Sequence, residues 1–294
     1  MKYVITGSLG HISKPLTKEL VKAGNQVDVI TSKADNANAI EALGAKALVG
    51  SVEDAEFISK SFAGADAVYL MIPPTLTASH WFTYMKQVAD NYVEAVQTNG
   101  IKNVVQLSSI GAHLRTGTGP VDGLGYLEEK LQAIPGINVM FLRPSFFFYN
   151  LFNQVGLVKN AGIFGANYGG EEKMVLVDTE DIASAAATAL LQLNFTGINI
   201  QYIASDERTT DEIAKLLGEA IGKPGTPWVV FTDEQNEKGM LDAGLPPTVA
   251  ENYTTMGKSI RDGLMQADYW KNRPTLGALK LEAFAQRFAA AYNG

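Results

Sequence analysis

Three groups of residues in this chain have the type and spacing to do chemistry. The first is the run Gly7-Ser8-Leu9-Gly10-His11-Ile12-Ser13, placed directly after the apolar segment Tyr3-Val4-Ile5. Glycine loses much conformational freedom on folding, so it is used where backbone turns sharply or comes close to another group. Beyond the two glycines, Ile12, Leu16 and Leu20 recur at helical spacing, and Gly24 stands where a C-cap glycine would. The reading is strand, glycine turn, helix. The helix N-terminus behind such a turn offers unpaired N–H groups and a partial positive charge, where phosphate fits. No Gly-Lys-Ser/Thr closes the loop, so a P-loop is excluded. What remains is a dinucleotide turn, Gly7-x-x-Gly10-x-x-Ser13, in which Ser13 is small enough for the helix to pack against its strand. An ordinary turn between a strand and a helix is the alternative.

The second group is Tyr126-x-x-x-Lys130 in "GYLEEK". Residues four apart share a helix face, so the Lys130 ammonium can lower the pKa of the Tyr126 phenol and let it pass a proton. The alternative is an exposed face on which Lys130 pairs with Glu129 or with solvent. The third group follows "FLRP": Pro144 lacks an N–H, Ser145 is small, and Phe146, Phe147 and Phe148 run on without a polar break. Alternate residues of a strand point to opposite faces, so three consecutive aromatics cannot all enter one core from one strand. At least one is expected to line a cleft, with Tyr149 and Asn150 as polar edges, and a flat aromatic ligand would suit it. Burial of all three beneath a helix is the competing reading.

These groups need a frame. Strands are expected at 26–31, 45–51, 66–74, 103–109 and 138–145, separated by helices at 34–44, 52–64, 82–100 and 125–136. Glu53 and Asp54 are expected in the first turn of the 52–64 helix, where acids suit the dipole. Apolar strands without alternation, separated by helices, imply a parallel sheet covered on both faces. Ligands of such sheets bind beyond the carboxyl ends of the strands. The places to look are residues 6–13, 31–33, 50–52, 71–74, 107–110 and 143–148. The fold class is α/β, a Rossmann-type doubly wound parallel sheet with a smaller C-terminal α/β substrate lobe. The sheet domain spans 1–150 and is completed by parts of 174–205; the lobe spans 151–294. In the lobe, Thr179–Asp181 is expected to cap a helix, Thr209-x-x-Glu212 forms a capping box, and a strand enters a helix at Thr232. Phe284, Phe288 and Tyr292 share one face of the last helix, which is expected to pack on the body.

Composition narrows the classes. A formal charge of −7 without a basic cluster argues against a nucleic-acid surface. There are no cysteines, so disulfides, thiolate metal sites and cysteine nucleophiles are excluded, and His11, His80 and His113 lack metal-ligand spacing. No metal is expected. The first residues read as a strand rather than a signal peptide, and no apolar stretch is long enough to span a bilayer. The expected compartment is the cytoplasm.

The stretches "VITGSLG", "ALGAKALVGSVEDAEFISKSFAGADAVYLMIPP", "VVQLSSIGAH", "GTGP", "LRPSFFFYNL" and "DIASAAA" together resemble the NmrA-like group of atypical short-chain dehydrogenases/reductases. The resemblance covers most of the chain. It implies a Rossmann domain that binds NAD(P) and a small domain over the nicotinamide end; members include NADPH-dependent quinone and dye reductases and redox-sensing regulators. By this resemblance Gly7, Ser8, Leu9, Gly10, His11 and Ile12 hold the pyrophosphate. Met71, Ile72, Pro73, Ser108, Pro144, Phe146 and Phe147 are further cofactor-binding candidates, with the aromatic run expected over the nicotinamide. Ser51 and Val52 line the adenine, although Ser51 stands where the family has Asp. The arginine of NADPH-preferring members is replaced by Ser32, with Lys33 beside it. An NAD-selective site would want an acid there for the ribose hydroxyls, and Asp28 lies too early, so NADP(H) is expected over NAD(H). Tyr126 and Lys130 have the spacing used by short-chain dehydrogenases, with Lys130 also holding the ribose. The serine of the usual trio falls at Ile110, leaving Ser109 as the nearest substitute, and a histidine frequent in relatives is Gly125 here.

The expected activity is hydride transfer from NAD(P)H to a small conjugated acceptor such as a quinone. Two rivals remain: a non-catalytic redox sensor that hands its state to a protein partner, and a nucleotide-sugar epimerase or dehydratase. The partners otherwise expected are small molecules, without nucleic acid or membrane.

Overall fold

Tyr3, Val4 and Ile5 are all buried, yet they serve two different cores. In the first strand, β1 (Lys2–Ile5), Tyr3 and Ile5 face one layer of helices and Val4 the other, because successive side chains leave a strand on opposite sides. The same division runs through β2 (Gln26–Thr31), β4 (Ala67–Leu70), β5 (Asn103–Leu107) and β6 (Asn138–Pro144). This explains the apolar strands without alternation. With β3 (Lys46–Val49) and β10 (Ile198–Ile203) they form a seven-stranded sheet in the order β10-β6-β5-β4-β1-β2-β3, parallel throughout. The structure, a computed structural model, describes residues 1–75 and 80–294.

One face is covered by α1 (Ser13–Lys22) and α7 (Thr179–Gln192), the other by α3 (Ala55–Phe62), α4 (Trp81–Thr98) and α5 (Asp122–Gln132). A short helix, α2 (Ala37–Glu41), joins β2 to β3 and buries Ile40. The chain winds from β1 outward through β2 and β3, then restarts at β4 on the other side of β1. That reversal opens a crevice beyond the ends of β1 and β4, where doubly wound sheets bind ligands. The seventh strand comes late in the chain, since β10 pairs with β6 from Ile198↔Val139 to Ile203↔Pro144.

The remaining elements build the lobe. The strands β7 (Phe146–Phe147), β9 (Met174–Val177) and β11 (Asp206–Arg208) make a small sheet, and β8 (Phe164–Ala166) pairs with β12 (Trp228–Val230). Around them stand α6 (Gln154–Ala161), α8 (Thr210–Ala220) and α12 (Leu281–Asn293), sharing a core that includes Phe148, Phe164, Leu217, Phe284 and Phe288. Phe284 and Phe288 are buried and Tyr292 is packed beside them, the helical face expected of the tail. The helices α9 (Asp233–Asp242), α10 (Pro247–Arg261) and α11 (Ala267–Lys271) complete the lobe, with Arg261 paired to Asp233 at 2.7 Å. No helix among the described residues is long and apolar enough to cross a membrane.

Local signals were mostly where the chain placed them, with shifts at several boundaries. The capping box Thr209/Glu212 forms, and Thr232 caps α9 in a second box with Gln235. Asp54 is the N-cap of α3, accepting from the Phe57 amide, so Glu53 lies before the helix rather than in its first turn. Asp178, one residue ahead of the expected stretch, caps α7. The helix expected from Gly125 starts at Asp122, because the Asp122 carboxylate accepts from the amides of Gly117 and Thr118 and the Thr118 hydroxyl.

Candidate functional site

At the end of β1 the backbone turns through left-handed conformations at Gly7 (φ 96°) and Ser8 (φ 54°). A Cβ on Gly7 would meet Ser13 Oγ at 2.4 Å and Met71 Cγ at 2.9 Å, so only glycine fits. Ser13 is buried and donates to the Thr6 carbonyl at 2.9 Å, drawing α1 onto β1. Gly10 is different: a Cβ there would meet only the Gly7 carbonyl, at 3.0 Å. The Gly10 amide donates to that carbonyl and its own carbonyl accepts from Lys14. The amides of Leu9, His11, Ile12 and Ser13 have no acceptor among the described residues. Four unpaired N–H groups beside a left-handed turn at a helix start form a cradle for an anion. Ser8 Oγ donates to Thr31 Oγ1 at 2.8 Å and accepts from Asn36, which fastens the turn to the end of β2. Ser32 and Lys33 emerge there exposed, and Ser51, exposed, and Val52, half-buried, follow β3. The His11 ring lies 4.0 Å from that of exposed Tyr149.

Next to the turn lies a cavity of about 250 Å³, just below the roughly 300–1,000 Å³ typical of small-molecule sites. Met71 joins the two: it packs against Gly7 and lines the cavity. The sheet side of the wall comes from the ends of three strands, Met71, Ile72 and Pro74 after β4, Ser108, Ser109 and Ile110 after β5, and Ser145, Phe146 and Phe147 after β6. Leu124 of α5 contributes, as do Met174 and Val175 of β9. The far wall is Tyr253, Met256 and Ile260 of α10 with Met265 and Gln266. None of these residues carries a formal charge. Of the aromatic run, Phe146 and Phe147 line the cavity, while Phe148 is buried and stacks on Phe284 at 5.6 Å. The run divides because the strand ends at Phe147 and a 3₁₀ turn from Phe148 carries that ring into the core of the lobe.

Beneath the cavity lies a buried ion pair. Arg143, in β6, donates to both carboxylate oxygens of Glu128, at 2.9 and 2.6 Å, with both residues almost wholly buried. Burial works against the guanidinium charge, but hydrogen bonds and charge from Glu128 outweigh it and raise its pKa. Ser108 donates to Glu128 Oε1 at 2.6 Å, so its hydroxyl is held below the cavity floor. Arg143 also donates to Tyr202 at 3.0 Å, and Tyr202 donates to Asp268 of α11. The network joins α5, β5, β6 and β10 to the lobe.

Tyr126 and Lys130 do not face the strand ends, and the expectation that they do is corrected here. The Tyr126 hydroxyl donates to Asp90 of α4 at 2.8 Å, its ring packs edge-on against Phe82, and Lys130 is exposed with its ammonium 5.2 Å from the Tyr126 ring. Neither lines the cavity. The phenol pKa is raised rather than lowered, by burial first and then by Asp90, against the smaller influence of Lys130. The reason is helical phase: Leu127, Glu128 and Leu131 turn inward, and Leu124 is the residue α5 sends to the cavity. Ser109 does line it, beside Ile110.

A family model described as NAD(P)H-binding matches residues 7–192, from the glycine turn through the end of α7. The chain belongs to the NAD(P)H-binding family. The uncharacterized oxidoreductase YesF of Bacillus subtilis is 24% identical over 275 residues, covering 88% of this chain and 85% of that protein. The crystal structure of an NADPH-dependent quinone oxidoreductase from Escherichia coli, complexed with NADPH, superposes with a TM-score of 0.81 at 19% identity, covering 97% of this chain and 99% of that one. A Citrobacter triphenylmethane reductase complexed with NADP(H) gives 0.78 at 21% identity, covering 98% and 100%. These structures share the fold, and the NmrA-like resemblance of the sequence agrees with them.

For an NAD(P)H-binding protein the unpaired amides of the turn are the decisive fit, because they answer a pyrophosphate with backbone alone. Pro144, expected to bind the cofactor, is buried as the last residue of β6, and its carbonyl accepts from the Ile110 amide. Pro73 lies just outside the cavity wall, with its carbonyl accepting from Tyr84 at 3.0 Å. Sequence reasoning missed Leu124, Met174, Val175 and the whole α10 wall. It also missed the Glu128–Arg143 pair, although an arginine inside the apolar strand "NVMFLRP" is a signal that some carboxylate must be buried with it.

Proposed function

We propose that this protein is an NADPH-dependent reductase of small, flat, conjugated acceptors such as quinones. The observation that carries the reading is the uncharged, largely apolar cavity at the ends of β4, β5 and β6, adjoining the amide-lined turn through Met71. In this reading the Leu9, His11, Ile12 and Ser13 amides bind the pyrophosphate. Ser32 and Lys33 take the 2′-phosphate, since neither position directly after β2 is the acid that would repel it. Ser51 and Val52 flank the adenine. Met71, Ile72, Phe146 and Phe147 form the walls that exclude water around the reacting rings. A bound dihydronicotinamide supplies a hydride. A quinone spreads the charge it gains over its ring, so positioning in a dry cavity suffices and no ionised side chain is required. The reduced ring takes its proton from water on leaving the cavity.

The test is a panel of quinones, azo dyes and aldehydes with NADPH and with NADH, followed at the nicotinamide absorbance. Reduction of quinones with preference for NADPH is expected. No turnover with any acceptor, alongside tight dinucleotide binding, would favour the second reading, a redox sensor with a protein partner. What favours that reading is the outward placement of Tyr126 and Lys130. The same placement leaves an epimerase or dehydratase, which needs Tyr and Lys at the substrate, without support.

A further inference from the structure

The far wall of the cavity holds a phenol with nothing to do. Tyr253 lies on α10, its ring edge-on to Trp81 at 6.0 Å between centroids, and it lines the cavity. Its hydroxyl has no hydrogen-bond partner among the described residues, a condition shared with Tyr69, Tyr149, Tyr168 and Tyr292, but of these five only Tyr253 lines the cavity. Burial raises its pKa, so it stays a neutral O–H donor. Across the cavity Ser145 Oγ is buried and equally without a partner. Buried polar groups are nearly always paired; of the six buried side-chain atoms without a partner among the described residues, Ser145 Oγ is the one on the cavity, and with the free Tyr253 hydroxyl opposite it offers a ligand two polar contacts.

We propose that Tyr253 is the specificity-determining anchor of the acceptor subsite, donating a hydrogen bond to a carbonyl of a flat, uncharged ligand. The charge selection follows from the walls. A carboxylate or sulfonate on the ligand would be desolvated against Met71, Met174, Met256 and Met265 with no cation to meet it. The four methionines add adaptable contacts to the faces and edges of a ring, so shape is selected loosely and charge strictly. This inference rests on the reductase reading for the identity of the site but not for its test, which measures binding.

Coumarin, a flat carbonyl compound, and naphthalene, a flat hydrocarbon, are titrated by calorimetry into wild-type protein and Tyr253→Phe, with and without NADP⁺. Because the hydroxyl has no partner, Tyr253→Phe is expected to melt with the wild type. The expected result is a coumarin Kd raised roughly fivefold by the substitution, the worth of one net hydrogen bond, with naphthalene unchanged. In turnover, 1,4-naphthoquinone should be accepted and its 2-sulfonate rejected, and Tyr253→Phe should raise the naphthoquinone KM. Equal coumarin affinity in both proteins overturns the proposal. So does equal loss for both ligands, or failure of the wild type to bind either coumarin or 1,4-naphthoquinone. Carbonyl-dependent binding without turnover rejects the reductase reading and leaves the anchor standing. Turnover with no effect of Tyr253→Phe does the reverse.

Discussion

The two faces of α5 carry opposite kinds of polar residue. On the outer face Tyr126 and Lys130 have the types and spacing of a proton-transfer pair, and they spend them on Asp90 and solvent. On the inner face Glu128 is sealed against Arg143, and Leu124 reaches the cavity. Between these positions the helix turns by only a few residues, yet one face holds the fold and the other holds little. The comparison teaches that a pair of catalytic residue types marks a site only when helical phase delivers it there. The two candidate sites also differ in what they present: the glycine turn offers unpaired backbone amides, the cavity an uncharged wall.

For ligand binding, the substitution with the largest expected effect tests the turn. Gly10→Val puts a branched side chain over the amide cradle while meeting only the Gly7 carbonyl within the protein. The protein should remain folded, and dinucleotide binding should fall by at least about 1.4 kcal/mol, or tenfold, in a fluorescence titration. Normal binding would move the pyrophosphate away from Gly10. Next is the inner face of α5. Glu128→Ala leaves Arg143 buried without its partner, and breaking such a pair costs about 3–5 kcal/mol. Chemical denaturation should show a loss of that size, and a loss under about 1 kcal/mol would mean that Arg143 reaches water.

Lys33→Ala is expected to weaken NADPH selectively by up to ~1 kcal/mol, the worth of an exposed charge contact. Calorimetry giving equal losses for NADPH and NADH would remove Lys33 from the 2′-phosphate. The smallest effects belong to the outer face. Tyr126→Phe and Lys130→Met should leave kcat and cofactor affinity at the wild-type values, with Tyr126→Phe losing at most ~1 kcal/mol of stability with the Asp90 bond. A fall in kcat at unchanged cofactor affinity would return Tyr126 to the chemistry.

How legible all this was depends on the range over which each feature is encoded. The glycine turn, the parallel sheet and the capping box at Thr209 are written within a few consecutive residues, and local sterics or hydrogen bonding suffice to read them. Strand alternation told that at least one residue of the aromatic run would line a cleft, but not which, because the strand ends at Phe147 and Phe148 begins a 3₁₀ turn that carries it into the lobe core. Phase on α5 was not legible, because the inward residues include Glu128, a charge that only its distant partner Arg143 explains. The α10 wall lay further out of reach. Tyr253 comes to the cavity from more than a hundred residues beyond Ser145, through packing that no local pattern announces.

The central claim is a dinucleotide turn coupled to an uncharged acceptor cavity. Its most direct test is the consumption of NADPH by wild-type protein presented with 1,4-naphthoquinone and, separately, with its 2-sulfonate. Steady oxidation of NADPH is expected with the neutral quinone, little with the sulfonate, and slower oxidation of NADH with either. Equal rates for the neutral and the charged quinone would contradict the claim.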